Sequence, residues 1–255
     1  MGQHPDEQEL RRRAIEGVRH EVEAFGCAAG ESKLIRREGL VAAVVPASPQ
    51  RSVFNSVFYN DPTSLSAEIG MLEEAYAAQD VSAWTVWVPD RDRETAGLLE
   101  ERGHALDGAP RAMAMALADL GPEPPPPVGL EARAVDPATA AELNDRAYGF
   151  GNDGFSAGFA GETAVRWHGA FAGATAVSCV GTIDAGDDCC VSGVATPPEH
   201  RGRGVAGWLL WRALDEARRR GILTASLRAS RSGAPLYERL GFRNLGFVEM
   251  WELRR

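Results

Sequence analysis

The stretch "EHRGRGVAGWLLWRALDEARRRG", Glu199 to Gly221, sets three glycines and two arginines in front of an amphipathic helical pattern. The first N–H groups of a helix have no partner within the helix, and the helix dipole places partial positive charge there. Glycine lets an anion approach these amides, and arginine favours phosphate. The stretch therefore predicts a phosphate-binding bend, although a flexible helix cap would also explain the glycines alone.

The glycines of this bend also fit the dinucleotide fingerprint G-x-G-x-x-G. In a dinucleotide-binding unit the first strand runs directly into the glycines, and an acidic residue ends the second strand. Here Pro197–Arg201 stands between strand and glycines, and the next predicted strand ends in Leu227 and Arg228. Only 27 residues follow Arg228. The pattern therefore disfavours a nicotinamide cofactor.

Composition excludes several classes of partner. The chain has 255 residues, 44% of them hydrophobic, and a formal net charge of -9. Residues 1–120 carry 12 Lys and Arg against 20 Asp and Glu, and residues 121–255 carry 15 against 16. This balance disfavours nucleic acid as a partner. No run of about 18 apolar residues predicts a membrane span, and the polar N-terminus favours a cytoplasmic protein without a membrane partner.

Cofactor-binding side chains of other kinds are scarce. Lys33 is the one lysine of the chain, so the P-loop pattern has no candidate. The histidines and cysteines show no metal-ligand spacing, and adjacent Cys189 and Cys190 would point to opposite faces of a strand. We therefore expect reduced thiols and no metal.

A proline-rich segment, "GPEPPPPVG" from Gly121 to Gly129, divides the chain. It predicts an N-terminal domain at 1–120, a linker at 121–127 and a second domain at 128–255. Hydrophobic periodicity predicts helices near 5–25, 62–79, 93–102, 138–148, 205–220 and 233–240. It predicts strands near 33–37, 40–46, 52–59, 83–88, 111–118, 130–135, 167–172, 175–184, 188–196 and 222–228, with a closing strand or hairpin at 242–253. Residues 149–161 are expected to be irregular or a broken helix.

The two halves share a short repeat. "LLEERGHALDG" (Leu98 to Gly108) aligns with "LYERLGFRNLG" (Leu236 to Gly246) at an offset of 138. The same offset brings the predicted strand 83–88 close to the strand 222–228. Chance identity over a short segment is the alternative, but the parallel order of elements favours duplication of one α/β unit.

Two segments together resemble the GNAT superfamily of N-acetyltransferases. They are "VATPPEHRGRGVAGWLL" and "ASRSGAPLYERLGF". The family signature [Q/R]-x-x-G-x-[G/A] is met by Arg201-x-x-Gly204-x-Ala206, and a later family element is met from Leu236-Tyr237 to Gly241-Phe242. The resemblance spans residues 128–255. It implies the acyl-CoA N-acyltransferase (GNAT) fold, an α/β (α+β) architecture with a mixed sheet, and makes the N-terminal half a degenerate GNAT-like domain.

This resemblance implies acetyl-CoA as cosubstrate, bound between the strand ending at Thr196 and the strand 222–228. The pantetheine arm would pair with the first of these strands and the pyrophosphate would rest on the bend. Family members often carry an asparagine where this chain has Ser230. The implied cofactor-binding residues are Val194, Ala195, Thr196, Arg201, Gly202, Arg203, Gly204, Val205, Ala206, Gly207 and Ser230.

Tyr237 matches the family's proton donor to the departing thiolate. A phenol of pKa about 10 stays protonated at neutral pH, as this role requires; the alternative is a packing residue of a helix. Several residues are conceivable as general base and none is selected by its spacing: Asp188, His168, Glu162 and Ser192.

We therefore expect acetyl transfer to a primary amine of a small-molecule or peptide acceptor, with an acyl-CoA-binding module without turnover as the alternative. The N-terminal copy has Leu99 in place of Tyr237 and Thr63–Ile69 in place of the bend, so it lacks both tools. Gly154 to Gly158 fits the nucleophile-elbow pattern G-x-S-x-G, but a turn-like run precedes it where a strand is needed. Phe150, Phe155 and Phe159 were instead assigned to a loop over the acceptor site, or to packing.

Overall fold

The computed structural model describes residues 4–28, 30–151, 154–158 and 164–255. The helices are α1 (Glu7–Gly26), α2 (Pro62–Ala77), α3 (Arg93–Glu101), α4 (Pro137–Tyr148), α5 (Phe155–Gly158), α6 (Val205–Arg219) and α7 (Ala234–Arg239). The strands are β1 (Lys33–Arg37), β2 (Leu40–Val44), β3 (Ser56–Tyr59), β4 (Ala83–Pro89), β5 (Ala105–Gly108), β6 (Arg111–Ala116), β7 (Leu130–Ala134), β8 (Arg166–Ala172), β9 (Thr175–Ala185), β10 (Asp188–Ala195), β11 (Thr224–Ala229) and β12 (Arg243–Arg254). Short 3-10 helices occur at Leu117–Asp119 and Pro198–His200.

The described chain forms two compact units. Unit 1 contains residues 4–17, 111–151 and 164–246, and unit 2 contains residues 18–28, 30–110, 154–158 and 247–255. Both units combine helices with a mixed sheet, which confirms the predicted α/β class. The division at 1–120, 121–127 and 128–255 concerns the duplicated sequence and stays a prediction.

Unit 1 is built on a sheet in the order β6-β11-β10-β9-β8-β7. β10 and β11 are parallel, and the other neighbours are antiparallel. Consecutive strand residues point to opposite faces. On β9, Cys179 contacts Asn144 of α4, whereas Val180 joins the buried core that includes Trp208 and Leu209 of α6. Helices α4 and α6 therefore cover opposite faces of this sheet.

Unit 2 is built on a sheet in the order β1-β2-β3-β4-β12, with β5 also paired to β12. β3 and β4 are parallel. Helix α2 buries Leu65, Ile69 and Leu72 against it. Tyr76 of the same helix stacks on Trp84 with ring centroids 4.6 Å apart and donates to the Ala43 carbonyl at 3.0 Å. Apolar spacing along α2 thus produces the core that the sequence predicted.

The aligned segments of the predicted repeat end their helices in the same way. Gly103 and Gly241 both have left-handed φ angles, of 87° and 103°. The N–H of His104 donates to Leu99 O at 3.0 Å, and the N–H of Phe242 donates to Tyr237 O at 3.1 Å. Such six-residue closures after a left-handed glycine are a standard helix stop. The same stop at the same offset of 138 supports the duplication that we propose.

Most predicted elements are present within a few residues, and three differ. The strand predicted at 52–59 begins at Ser56. The strand β5 was not predicted, and the closing element is the single strand β12 rather than a hairpin. Of the segment 149–161, the described part contains the one-turn helix α5, and Phe159 lies outside the described residues.

The four cysteines are free thiols, and Cys27 is the exposed one. Cys189 belongs to the core beneath α6, whereas the Cys190 thiol donates to Gly17 O of α1 at 3.3 Å. The two neighbours therefore point to opposite faces, as the sequence predicted. In the described part of the chain, no helix is both long and apolar enough to cross a membrane.

His104 makes the stability of unit 2 depend on pH. Its ring is 3% exposed and packs edge-on to Trp84 at 4.7 Å, and neither ring nitrogen has a hydrogen-bond partner among the described residues. Burial lowers the pKa of His104 from 6.5 to about 4. The neutral ring is therefore favoured by folding, and its stabilisation is complete above pH 6.5 and lost as the pH falls towards 4.

We expect wild type to lose on the order of 3 kcal/mol of unfolding free energy through this group between pH 6.5 and 4, since one pKa unit corresponds to about 1.4 kcal/mol. His104→Leu should flatten that part of the profile. Urea unfolding of both proteins across this range measures the difference. At pH 8, where the ring is neutral in both folded and unfolded wild type, the comparison gives the packing effect alone. Parallel profiles would contradict the prediction.

Candidate functional site

A gap opens between two parallel strands of unit 1. β10 and β11 pair over three residues, from Asp188 with Thr224 to Cys190 with Ser226, among the residues that the structure describes. β10 then continues to Ala195 and remains paired with β9, while β11 remains paired with β6. The strands therefore diverge towards their C-terminal ends, and β10 turns backbone groups towards the gap.

An irregularity bends β10 where the strands separate. The register with β9 shifts between Ser192 and Ala195. Gly193 has a φ of +59°, and a Cβ atom at this position would lie 2.6 Å from the ring of Trp167. Only glycine fits both the conformation and the space. The bulge thus requires Gly193, which the sequence analysis did not single out.

Side chains hold the end of β10. The Val194 carbonyl accepts from Tyr148 Oη at 3.0 Å, and the Ala195 carbonyl accepts from Ser178 Oγ at 2.9 Å. The Thr196 carbonyl accepts from Arg201 Nε at 2.8 Å. We call these three donors, Tyr148, Ser178 and Arg201, the strand-end clamp. Val194, Ala195 and Thr196 are residues predicted from the sequence, whereas Tyr148 and Ser178 were missed.

The bend after β10 exposes the start of α6. Residues 201–204 are exposed, and Gly202 and Gly204 both have a φ of 74°. A Cβ atom at either glycine would meet nothing within 4 Å in the described chain. Trp208 N–H makes the first bond into the helix, to Gly204 O at 3.1 Å. The earlier amides of Val205, Ala206 and Gly207 precede this bond, and no side chain among the described residues caps the helix.

Helix α7 is brought close to this bend by a second small residue. A Cβ atom at Gly207 would lie 3.1 Å from Leu236 Cδ1. The neighbouring Tyr237 is 9% exposed and packs edge-on to Phe242. Burial, and to a lesser degree the nearby Tyr148, raise the pKa of Tyr237 above its ordinary value of 10. Tyr237 is therefore a protonated phenol at neutral pH.

Ser230 directly follows β11, at the exit of the gap. Its Oγ accepts from Gly233 N–H at 3.1 Å and lies 3.2 Å from Ser232 Oγ. The hydroxyl thus stabilises the turn into α7 in this structure. A direct contact between Ser230 and a cofactor stays a prediction.

Two of the residues conceivable as a general base lie at a distance from the gap or are held by other groups. Asp188 begins β10, about 20 Å from Ala195 at the rise of a strand, and accepts hydrogen bonds from Thr224 and Ser226. His168 Nε2 lies 3.2 Å from Thr182 Oγ1, and burial lowers the pKa of His168.

The other two candidates give no assignment either. Ser192 lies on β10 at the start of the irregularity, and Glu162 lies outside the described residues. No group of three or more potential metal ligands occurs within the described ranges.

A cavity of about 250 Å³ lies elsewhere in unit 1. Its lining includes Glu123, Arg133, Arg166, His168, Arg212 and Glu216. The carboxylate of Glu123 accepts from Arg212 at 2.9 Å, so at least one opposite pair across this lining is satisfied internally. Because the diverging strands, the bend and Tyr237 do not contribute to it, this cavity is separate from the candidate site.

The corresponding helix of unit 2 begins differently. Asp61 caps α2: one carboxylate oxygen accepts from Thr63 N–H at 3.0 Å and the other from Ser64 Oγ at 2.8 Å. Pro62 at the first turn removes one amide donor. An anionic side chain therefore already occupies the position that a phosphate would take. This agrees with the lack of a predicted phosphate-binding bend at Thr63–Ile69.

Comparison with known proteins gives a family match for one part of the chain. Residues 165–244 match the family model described as "Acetyltransferase (GNAT) domain". This segment contains β8 to α7, and so both diverging strands, the bend and Tyr237. No curated protein matches the chain in sequence.

Solved structures resemble nearly the whole chain. A GCN5-related N-acetyltransferase from Kribbella flavida is 19% identical with a TM-score of 0.65, covering 93% of this chain and 95% of that one. A GCN5-related N-acetyltransferase from Sphaerobacter thermophilus is 18% identical with a TM-score of 0.60, covering 99% and 95%. A tandem GNAT protein from the clavulanic acid biosynthesis pathway is 14% identical with a TM-score of 0.59, covering 97% and 95%. These likenesses confirm the predicted GNAT fold.

The left-handed conformation of Gly204 provides a test of the bend. Gly204→Ala should lower the unfolding free energy by about 1–2 kcal/mol, because a Cβ atom is disfavoured at positive φ. Gly97→Ala is the matched control: Gly97 lies inside α3 with open space around its Cβ position and no positive φ, so this change should be neutral or stabilising. Urea unfolding measures both variants. Equal stability of Gly204→Ala and wild type would contradict the conformation assigned to the bend.

Proposed function

Because residues 165–244 form a GNAT domain, we propose that this protein is an N-acetyltransferase that moves the acetyl group of acetyl-CoA to a primary amine. The acceptor would be a small molecule or a peptide. The observation that carries the proposal is the divergence of β10 and β11 beside the uncapped start of α6 in the described chain. The cytoplasmic location expected from the sequence stays part of the proposal.

The residues around the gap fit the two chemically different parts of acetyl-CoA. The pantetheine arm carries amides, which can pair with the backbone of Val194 to Thr196. The diphosphate carries negative charge, which the amides of Gly202 to Gly207 and the dipole of α6 favour. Arg203 adds a positive charge between Gly202 and Gly204, on an exposed part of the bend. Open space at both left-handed glycines leaves room for a diphosphate.

The reaction would proceed by direct transfer. The nitrogen of the neutral amine attacks the thioester carbonyl carbon, the new C–N bond forms, and the C–S bond breaks. The amine nitrogen loses one proton, to a base that we leave unassigned, and the departing sulfur gains one. A backbone N–H near Ala195 is placed to polarise the thioester carbonyl, because the bulge turns the backbone of β10 at this point.

Tyr237 would supply the proton to sulfur. A thiol has an ordinary pKa of about 8.5 and a phenol one of about 10. The raised pKa of Tyr237 keeps the phenol protonated through neutral and mildly alkaline pH. Its helix contacts the first turn of α6 through Leu236 and Gly207, which supports a position near the cofactor. Donation from the phenol to a forming thiolate is downhill only once charge develops on sulfur, as general acid catalysis requires.

A module that binds acyl-CoA without turnover is the second candidate. It is favoured by Ser230, whose hydroxyl is used within the turn, and by the absence of an assigned base among the described residues. Both candidates require the same bend and differ in chemistry. Turnover therefore separates them.

The first test combines binding and turnover. Titration calorimetry with coenzyme A should give a saturable heat at one site per chain. A panel of primary amines with acetyl-CoA, followed by release of the free thiol, should contain at least one acceptor. Saturable binding with a wholly negative panel would favour the binding module, and the lack of any binding would overturn both candidates.

Tyr237→Phe tests the proton donor. We expect kcat to fall by about 10²-fold or more, while the Kd of coenzyme A changes less than about threefold, because the ring packing is kept. The loss should be nearly constant from pH 6 to 9, since the phenol stays protonated over this range.

Tyr59→Phe is the matched control, because it removes another buried phenol, which donates to Asp92 at 2.6 Å in unit 2. This control should lower stability and leave kcat unchanged. A wild-type kcat in Tyr237→Phe would remove Tyr237 from the mechanism.

A further inference from the structure

The end of β10 is held by side chains of three separate segments. Tyr148 comes from the last turn of α4, Ser178 from β9 and Arg201 from the bend. Their acceptors are three successive carbonyls, at Val194, Ala195 and Thr196. A strand whose parallel neighbour has diverged depends on such bonds for its position. These donors therefore fix the backbone to which the pantetheine arm would bind.

Arg201 makes two of its guanidinium bonds to the protein backbone. Nε donates to Thr196 O at 2.8 Å, and Nη2 donates to Ala147 O at 2.6 Å. Ala147 belongs to the last turn of α4, where helix carbonyls lack intrahelical donors. Next to it Tyr148 donates to Val194 O, and Arg146 forms an ion pair with Glu199.

Three consecutive residues of α4 thus contact the segment from Val194 to Arg201. A guanidinium with two of its nitrogens committed in this way acts as a rigid brace between helix and strand.

Arg203 has a different environment, although it is two residues away. It lies between the left-handed Gly202 and Gly204 and is exposed. Among the described residues, no hydrogen bond or ion pair engages its guanidinium. The two arginines of the bend are therefore not equivalent, and Arg203 is the one whose charge is available to a ligand.

We propose that Arg201 is a positioning residue that braces the β10 end against α4, and that Arg203 provides the side-chain charge for the diphosphate. This inference refines the proposed function and rests on it for its kinetic test. It assigns to Arg201 a role other than the phosphate contact predicted from the sequence. It also links the backbone that receives the thioester to α4, which leads into residues 149–164.

Two thioesters separate positioning from phosphate binding. S-acetylpantetheine has the same acetyl group and arm as acetyl-CoA but lacks the diphosphate and nucleotide. Arg201→Ala should lower kcat/KM for both thioesters by a similar factor of about tenfold, the value expected for losing two bonds of about 0.5–1 kcal/mol each. Arg203→Ala should lower kcat/KM for acetyl-CoA alone, and its deficit should shrink at high salt.

The neutral variant Arg201→Gln gives a second comparison. Glutamine keeps an N–H donor and removes the charge. A brace should regain activity relative to Arg201→Ala, whereas a phosphate ligand should not. An Arg201→Ala deficit confined to acetyl-CoA, with glutamine no better than alanine, would overturn the inference.

Hydrogen exchange tests the brace without turnover. In the free protein, amides of Val194 to Gly204 should exchange at least severalfold faster in Arg201→Ala and Tyr148→Phe than in wild type, and at the wild-type rate in Arg203→Ala. Unchanged exchange in Arg201→Ala would overturn the brace. A wild-type protein that neither binds coenzyme A nor turns over would refute the proposed function, and the exchange result would then still decide whether Arg201 braces the strand.

Discussion

β10 and β11 run on after their three paired residues, and the backbone groups released by their divergence need partners. On β10 the carbonyls of Val194 and Ala195 obtain them from side chains, and the bulge at Gly193 turns the strand at the same place. A carbonyl has two acceptor positions, so these bonds do not prevent a ligand amide from pairing there. The candidate site follows from this constraint: it lies where a sheet gives up its own pairing.

The two units show how one local change decides whether such a place binds an anion. Both start a helix after a strand that has a parallel neighbour. In unit 1 the helix begins after Gly204, with no side-chain cap among the described residues, whereas in unit 2 the Asp61 carboxylate accepts from Thr63 N–H and Ser64. A carboxylate at a helix start uses the same dipole and amides as a phosphate. Capping therefore stabilises α2 and removes its anion site in a single step.

The sequence predicted those features that depend on neighbours along the chain. The bend, the helix stop at Gly241 and the buried faces of the helices follow from glycine position and periodicity, and all are present. The exposed strand β5 has four residues and no alternating pattern, so it gave no signal. The bonds from Tyr148 and Ser178 join residues 46 and 17 positions apart. No local pattern marks such donors, because their partners are backbone carbonyls that any residue carries.

The way each unit holds its strand end explains why one copy can offer a site and the other cannot. In unit 2, β3 stays paired with β2 to Tyr59, and the N–H of Asn60 then donates to Gly39 O at 2.9 Å. Main-chain pairing of this kind fixes the strand by using the groups that a ligand would need. In unit 1 side chains do the holding, so part of the main chain stays available and its position can be adjusted through Arg201. Loss of a binding bend in one copy and retention of a clamp in the other are thus two outcomes of the same structural requirement.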